Sequence, residues 1–196
     1  MDFKNAQELL ALCEEHQLPI SEIMRQREIT VGESTADSVD SQMKRVLEIM
    51  KDAAFSPIKS PVKSMGGLIG GEAKQITGYR ESGTNVCGTF MNKLIAYSMA
   101  VLEVNASMGV IVAAPTAGSS GVVPGVLLAL QEEKGFSDEQ MTDALFHTAA
   151  IGYLLMRNAS VAGAEAGCQA EVGAASAMAA AAVTELMLSL IHISEP

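Results

Sequence analysis

Residues 158–187 read NASVAGAEAGCQAEVGAASAMAAAAVTELM, and the rest of the chain is read outward from them. Alanine is the strongest helix former, so from about Glu171 onward this run predicts a helix. Ahead of that helix, Cys168 lies among glycine, alanine and serine, with Gly163, Gly167 and Gly173 close by. Only Glu165, Gln169 and Glu171 are polar with reach. Two readings stand side by side. Small residues let helices touch, or they let a bulky cofactor come within bonding distance of the sulfur. If Cys168 lies at the start of the following helix, the helix dipole also favours its thiolate form.

The whole chain has the same character. Of 196 residues, 48% are apolar but only 4% aromatic, with no Trp and seventeen glycines. Such a core gains stability from many short contacts. A net charge of −10 argues against nucleic acid and against an anionic membrane surface. The weakly polar stretch 93–115 is interrupted by Glu103, Asn105 and Ser107, which argues against a membrane span. Three separated cysteines form no CxxC pair, and the first residues, MDFKNAQELL, show no signal-peptide pattern. Both suit a reducing cytoplasm.

The expected fold is mainly α, with a small N-terminal helical lobe at 1–55. Asn5 and Glu8 mark a capped helix start, Ser21 opens a second helix, and Val39, Met43, Val46, Leu47, Met50 and Ala54 recur at helical spacing in a third. Ser56-Pro57 is expected to stop that helix. Residues 56–71, SPIKSPVKSMGGLIGG, read as a linker, and 72–187 as a domain rich in small residues. There a long helix is expected over 88–109, one with Pro124 in its first turn, and one starting at Ser137 with Gln140 as its capping partner. Residues 110–113 are the single strand candidate.

Two turns could meet a ligand. APTAGSSGVV at 114–123 gathers hydroxyls and N–H groups ahead of a helix, as an anion site does and as any tight capped turn does. ESGTNVCGT at 81–89 carries Cys87, read as a small buried hydrophobe. His147, within the helix from Ser137, reads as a satisfied residue more readily than as a base.

Three stretches together, SGTNVCGTFMNK, APTAGSSGVVPGVL and NASVAGAEAGCQAEVGAASAMAAAAVTELM, resemble the α chain of the two-subunit, iron–sulfur-dependent bacterial L-serine dehydratase. QELL and LPISEIM in the N-terminal lobe do so too. The resemblance implies a helical catalytic domain that converts L-serine to pyruvate and ammonia. It implies a [4Fe–4S] cluster held by three cysteines, with one iron acting as Lewis acid on the serine hydroxyl. Cys168 matches the cysteine of the family's GCQ motif and is thereby implied to be a cluster ligand. Thr116, Ser119, Ser120, Asn158 and Ser160 are expected near cluster and substrate from their residue type and neighbourhood. The β subunit is the implied partner.

The chain also departs from the family. The other two ligands belong to a segment of the form CDPVxGLVxIPC that is not in this sequence, and Cys13 and Cys87 match no ligand position. Residues 188–196, LSLIHISEP, are similar to a one-frame translation of a transposase-type sequencing adaptor and are expected to be non-native, so the fragment alone is expected to be inactive. Two other readings remain open. A pyridoxal-phosphate dehydratase would need a sheltered lysine, for which Lys93 is the candidate. A helical interaction module would need no chemistry.

Overall fold

A computed structural model describes residues 1–83 and 85–194 of the chain, and the side chains up to Met187. Among the described residues there are eight helices and no strand, so the expectation of a mainly α fold holds. They are α1 (Ala6–His16), α2 (Ile20–Val31), α3 (Ala36–Lys59), α4 (Glu72–Glu81), α5 (Gly88–Ala106), α6 (Val122–Lys134), α7 (Asp138–Asn158) and α8 (Gly163–Ser194).

Side chains set several helix starts. Asn5 Oδ1 accepts from the Glu8 N–H at 2.9 Å. The Glu8 carboxylate reaches back to the Lys4 N–H at 2.7 Å, one residue earlier than the usual box. At α7 the box is complete: Ser137 Oγ accepts from the Gln140 N–H, and Gln140 Oε1 accepts from the Ser137 N–H. Pro124 sits in the first turn of α6, where its missing donor costs nothing.

Two local expectations fail. α3 runs through Pro57 to Lys59. A proline in the last turn forfeits one hydrogen bond, its ring is fully buried here, and the Ser60 N–H closes the end on Ser56 O at 2.8 Å. Residues 110–113 are coil, because no second strand among the described residues can form a ladder with them.

The chain divides into two units, Met1–Leu47 with Ser137–Pro196, and Glu48–Phe136. In the first unit, Phe3, Leu9, Ile23 and Met24 pack with Ala150 of α7. Phe3 meets Tyr153 edge-on at 5.4 Å, and the Arg27 guanidinium lies 4.0 Å over the Tyr153 ring. The alanine run turns Ala175, Met178, Ala179, Ala182 and Leu186 inward at helical spacing. Met178 reaches over Gly152 of α7, where an added Cβ would meet its Cε at 2.8 Å.

In the second unit, α5 is flanked by α4 and α6. Ala96, Ala100 and Val101 of α5 are buried, as are Val123, Leu127 and Leu128 of α6. Glycines set the α5–α6 approach: a Cβ on Gly121 would lie 2.5 Å from Ser98 O, and one on Gly125 would lie 2.0 Å from Ser98 Oγ. In these places small residues do what the packing reading of the sequence supposes, bringing helices together.

Candidate functional site

Cys168 owes its position to one glycine. α8 begins at Gly163, but Gly167 is non-helical at φ 81° and ψ 166°, a conformation that favours glycine. Cys168 therefore opens the longer segment of α8, its sulfur-bearing side chain exposed. This is an earlier helix start than the expected one near Glu171. Around it the glycines leave room that carboxylates use. A Cβ on Gly163 would come within 2.8 Å of Glu171 Oε2. Ser160 Oγ donates to Glu165 Oε2 at 2.7 Å across the start of α8.

Asn158, at the end of α7, spends its side-chain amide on two carbonyls, Lys4 O at 3.0 Å and Leu154 O at 2.9 Å. In this structure it closes a helix end and ties the N-terminal strip to α7. Asn158, Ser160 and Cys168 thus share a short segment of the first unit.

Thr116, Ser119 and Ser120 belong to the second unit. Thr116 Oγ1 and Ser119 Oγ are 3.1 Å apart, and Ser119 Oγ also donates to Ala114 O at 3.2 Å. Ser120 Oγ donates to Ala117 O at 2.7 Å, and Asn105 Nδ2 reaches the same carbonyl at 3.0 Å. Ser119 and Ser120 are buried. Their hydroxyls hold the turn in shape by bonding its own carbonyls, which is the capped-turn reading in physical form.

Sequence reasoning missed a polar network in the first unit. His147 Nδ1 bonds Glu185 Oε2, and Ser21 Oγ donates to Glu185 Oε1 at 2.6 Å. His147 is thus a satisfied residue, as expected, but its partner had not been singled out. Burial, with Glu185 second, pushes the nearby Cys13 thiol up. The available signal was spacing: Glu185 falls beside the inward-facing positions Ala182 and Leu186, and a carboxylate there needs partners. Cys87 corrects another expectation, since it is exposed at the N-cap of α5. Lys93, the candidate Schiff-base lysine, is ion-paired with Glu132 at 2.9 Å.

Among the described residues no three His, Cys, Asp or Glu side chains gather as a metal set. Cys168 offers one exposed sulfur, so the described residues do not by themselves supply the three cysteines that the resemblance implies for a cluster. Among the described residues, no helix is long and apolar enough to cross a membrane.

The described residues form helices without strands, and a cysteine opens one small-residue helix segment. The sequence profile of the family described as "Serine dehydratase alpha chain" matches residues 15–190. The chain is 42% identical over 184 residues to the "Probable L-serine dehydratase, alpha chain" of Bacillus subtilis, covering 94% of this chain and 61% of that protein. It is 37% identical over 182 residues to the "L-serine dehydratase, alpha chain" of Peptoniphilus asaccharolyticus, covering 93% and 62%. It is 36% identical over 193 residues to the "L-serine dehydratase" of Helicobacter pylori, covering 94% and 41%. The chain belongs to the serine dehydratase α-chain family. It spans about three-fifths of the length of the Bacillus subtilis and Peptoniphilus asaccharolyticus proteins.

Proposed function

We propose that this chain is the larger part of an L-serine dehydratase α chain, a lyase that works with a β subunit in the cytoplasm. L-Serine loses water, and the resulting enamine hydrolyses to pyruvate and ammonia. We further propose that Cys168 gives one thiolate to a [4Fe–4S] cluster whose other ligands lie outside the described residues. Thr116, Ser119, Ser120, Asn158 and Ser160 are proposed to border the substrate. Asn158 and the two serines of the turn would act through the backbone they hold, since their side chains are engaged with carbonyls. The last stretch, 188–196, proposed as non-native, lies outside the residues whose side chains are described.

The observation that carries this reading is the family match over residues 15–190. The geometry at Gly167 supports it, since it leaves the Cys168 thiol exposed at a helix start. The test is Cys168→Ser in the α chain assembled with its partner. Serine turnover and bound iron both fall to background, while Cys13→Ser and Cys87→Ser keep both. Turnover retained in Cys168→Ser overturns the assignment. In the 196-residue chain alone, anaerobic reconstitution with iron and sulfide gives no stable 4Fe absorbance band.

A further inference from the structure

The Glu103 side chain of α5 is fully buried, at 0% exposure. Its Oε1 accepts from the Ala73 N–H at 2.8 Å, at the start of α4. Its Oε2 is sealed from solvent and meets no donor among the described residues. An ionised carboxylate held in that way is costly, and natural structures rarely keep one.

The neighbour of that carboxyl is another carboxyl. Glu72, the first residue of α4, makes a side-chain hydrogen bond with Glu103. Glu72 Oε2 also accepts from the Gly70 N–H at 2.7 Å. Two ionised carboxylates have acceptors and no hydrogen, so they cannot bond one another. A carboxylic acid and a carboxylate can, through one O–H, and such bonds are strong. The same hydrogen gives Glu103 Oε2 what its surroundings lack.

No other charge near the pair takes that place. Among the described residues no lysine or arginine pairs with either carboxyl. On α4 the remaining charged groups are Lys74, Arg80 and Glu81, and the Arg80 guanidinium acts on Tyr97, Glu132 and Glu81. On α6, Glu132 and Glu133 face Lys93, and Lys134 ends the helix. Lys59 lies by Arg80, and Lys63 is exposed in the segment before α4. Residues 104–131, which follow Glu103 into α6, carry no titratable side chain. Glu72 is held below the usual carboxylate range, first by its own N–H and then by that of Gly70, which makes it the carboxylate of the pair.

We infer that Glu72 and Glu103 hold a single proton between them at neutral pH, carried on Glu103, and that this O–H fastens the start of α4 to α5. The inference rests on neither Cys168 nor the serine reaction. Its consequence is a helix seated by a hydrogen that base can remove. Unfolded glutamates ionise near about pH 4.3. From there up to the pH at which the pair ionises, the folded chain binds one proton more than the unfolded chain. The seating of α4 is therefore complete in mild acid and is lost as pH rises. Through that window the folding constant falls about tenfold per pH unit relative to a chain without the shared proton. The direction is opposite to that of an acid held by an arginine.

The test is infrared difference spectroscopy on the 196-residue chain at neutral pH, with Glu103→Gln and Glu72→Gln as references. In each variant an amide supplies the hydrogen, so the carbonyl band of a protonated carboxyl is present in the parent and absent from both. Urea unfolding from mild acid to mild base gives the second readout: the parent loses stability against either variant as pH rises, by the factor above. Far-UV circular dichroism checks folding, and Glu72→Gln serves alone if Glu103→Gln does not fold. The inference is overturned if the parent has no protonated-carboxyl band that a folded variant removes. It is overturned equally if the stability gap between parent and folded variant stays constant with pH.

Discussion

Glu103 Oε1 accepts a hydrogen bond from the Ala73 backbone N–H at 2.8 Å. The residue is fully buried in α5, thirty positions along the chain from the helix it caps. α4 needs this help, because its own N-cap is Gly71, which has no side chain to offer. Glu103→Ala is expected to cost about 1–3 kcal/mol by urea unfolding, the range for a lost cap and an orphaned buried donor. Glu103→Gln keeps an acceptor and costs less. Equal stability of Glu103→Ala and the parent chain would show that the cap carries no weight.

The α5–α6 glycines predict a rescue that works at one site and fails at the other. At Gly125 the nearest obstacle is the Ser98 side chain, at 2.0 Å, with Leu94 O next at 3.1 Å. At Gly121 the three nearest atoms are all Ser98 backbone. Both glycine-to-alanine changes are expected to cost about 1–3 kcal/mol as overpacking. Adding Ser98→Ala recovers most of the loss for Gly125→Ala, where alanine also gains helix propensity. It recovers little for Gly121→Ala. Thermal melts of the four variants measure the difference.

Glu185 joins Ser21 and His147 through its two oxygens, and both partners are buried. Glu185→Ala is expected to destabilise by about 2–4 kcal/mol, since it leaves two buried polar groups unpaired. The double variant with His147→Ala should lose less than the sum of the single losses, by about 1 kcal/mol. Strict additivity in the cycle would dissolve the network into unrelated contacts.

Arg25 grips Asp40 through two bonds, Nε to Oδ1 and Nη2 to Oδ2, each 2.5 Å. The Arg25 hydrogen bonds hold the Asp40 carboxyl below its ordinary range. The unfolded state therefore binds the proton more tightly. The pair's contribution is complete above the unfolded value near pH 4 and is lost as pH falls through the folded value. Asp40→Asn should lose no more than about 1 kcal/mol at pH 7, because the pair is partly exposed. Its stability should converge with that of the parent in strong acid. A gap that stays constant across pH would point to packing and away from charge.

Much of this architecture is legible because its causes are local. The caps at Asn5 and Ser137 lie within three residues of what they bond, and Pro124 announces a first turn by its own chemistry. What escaped reading depends on distant partners. Pro57 stays helical because its ring is buried, α4 borrows its cap from α5, and Glu185 finds Ser21 on a helix 164 residues away. At the candidate site, the small-residue setting of Cys168 was visible but the break at Gly167 was not, since glycine marks many other places in this chain. The hydroxyl turn was visible too, while the bonding of its serines to their own carbonyls depends on the turn's folded shape.

One unit is assembled from both ends of the chain, Met1–Leu47 and Ser137–Pro196, while the other is continuous. On a ribosome, Phe3, Leu9, Ile23 and Met24 emerge more than a hundred residues before the unit's second segment begins at Ser137, and Ala150 comes later still. At synthesis rates of about 5–20 residues per second, those side chains stay uncovered for roughly 6–27 seconds. The continuous segment, made in between, has all of its own helices to hand first. The early-made segment 1–47 is therefore a natural client for chaperones, however stable the finished protein becomes.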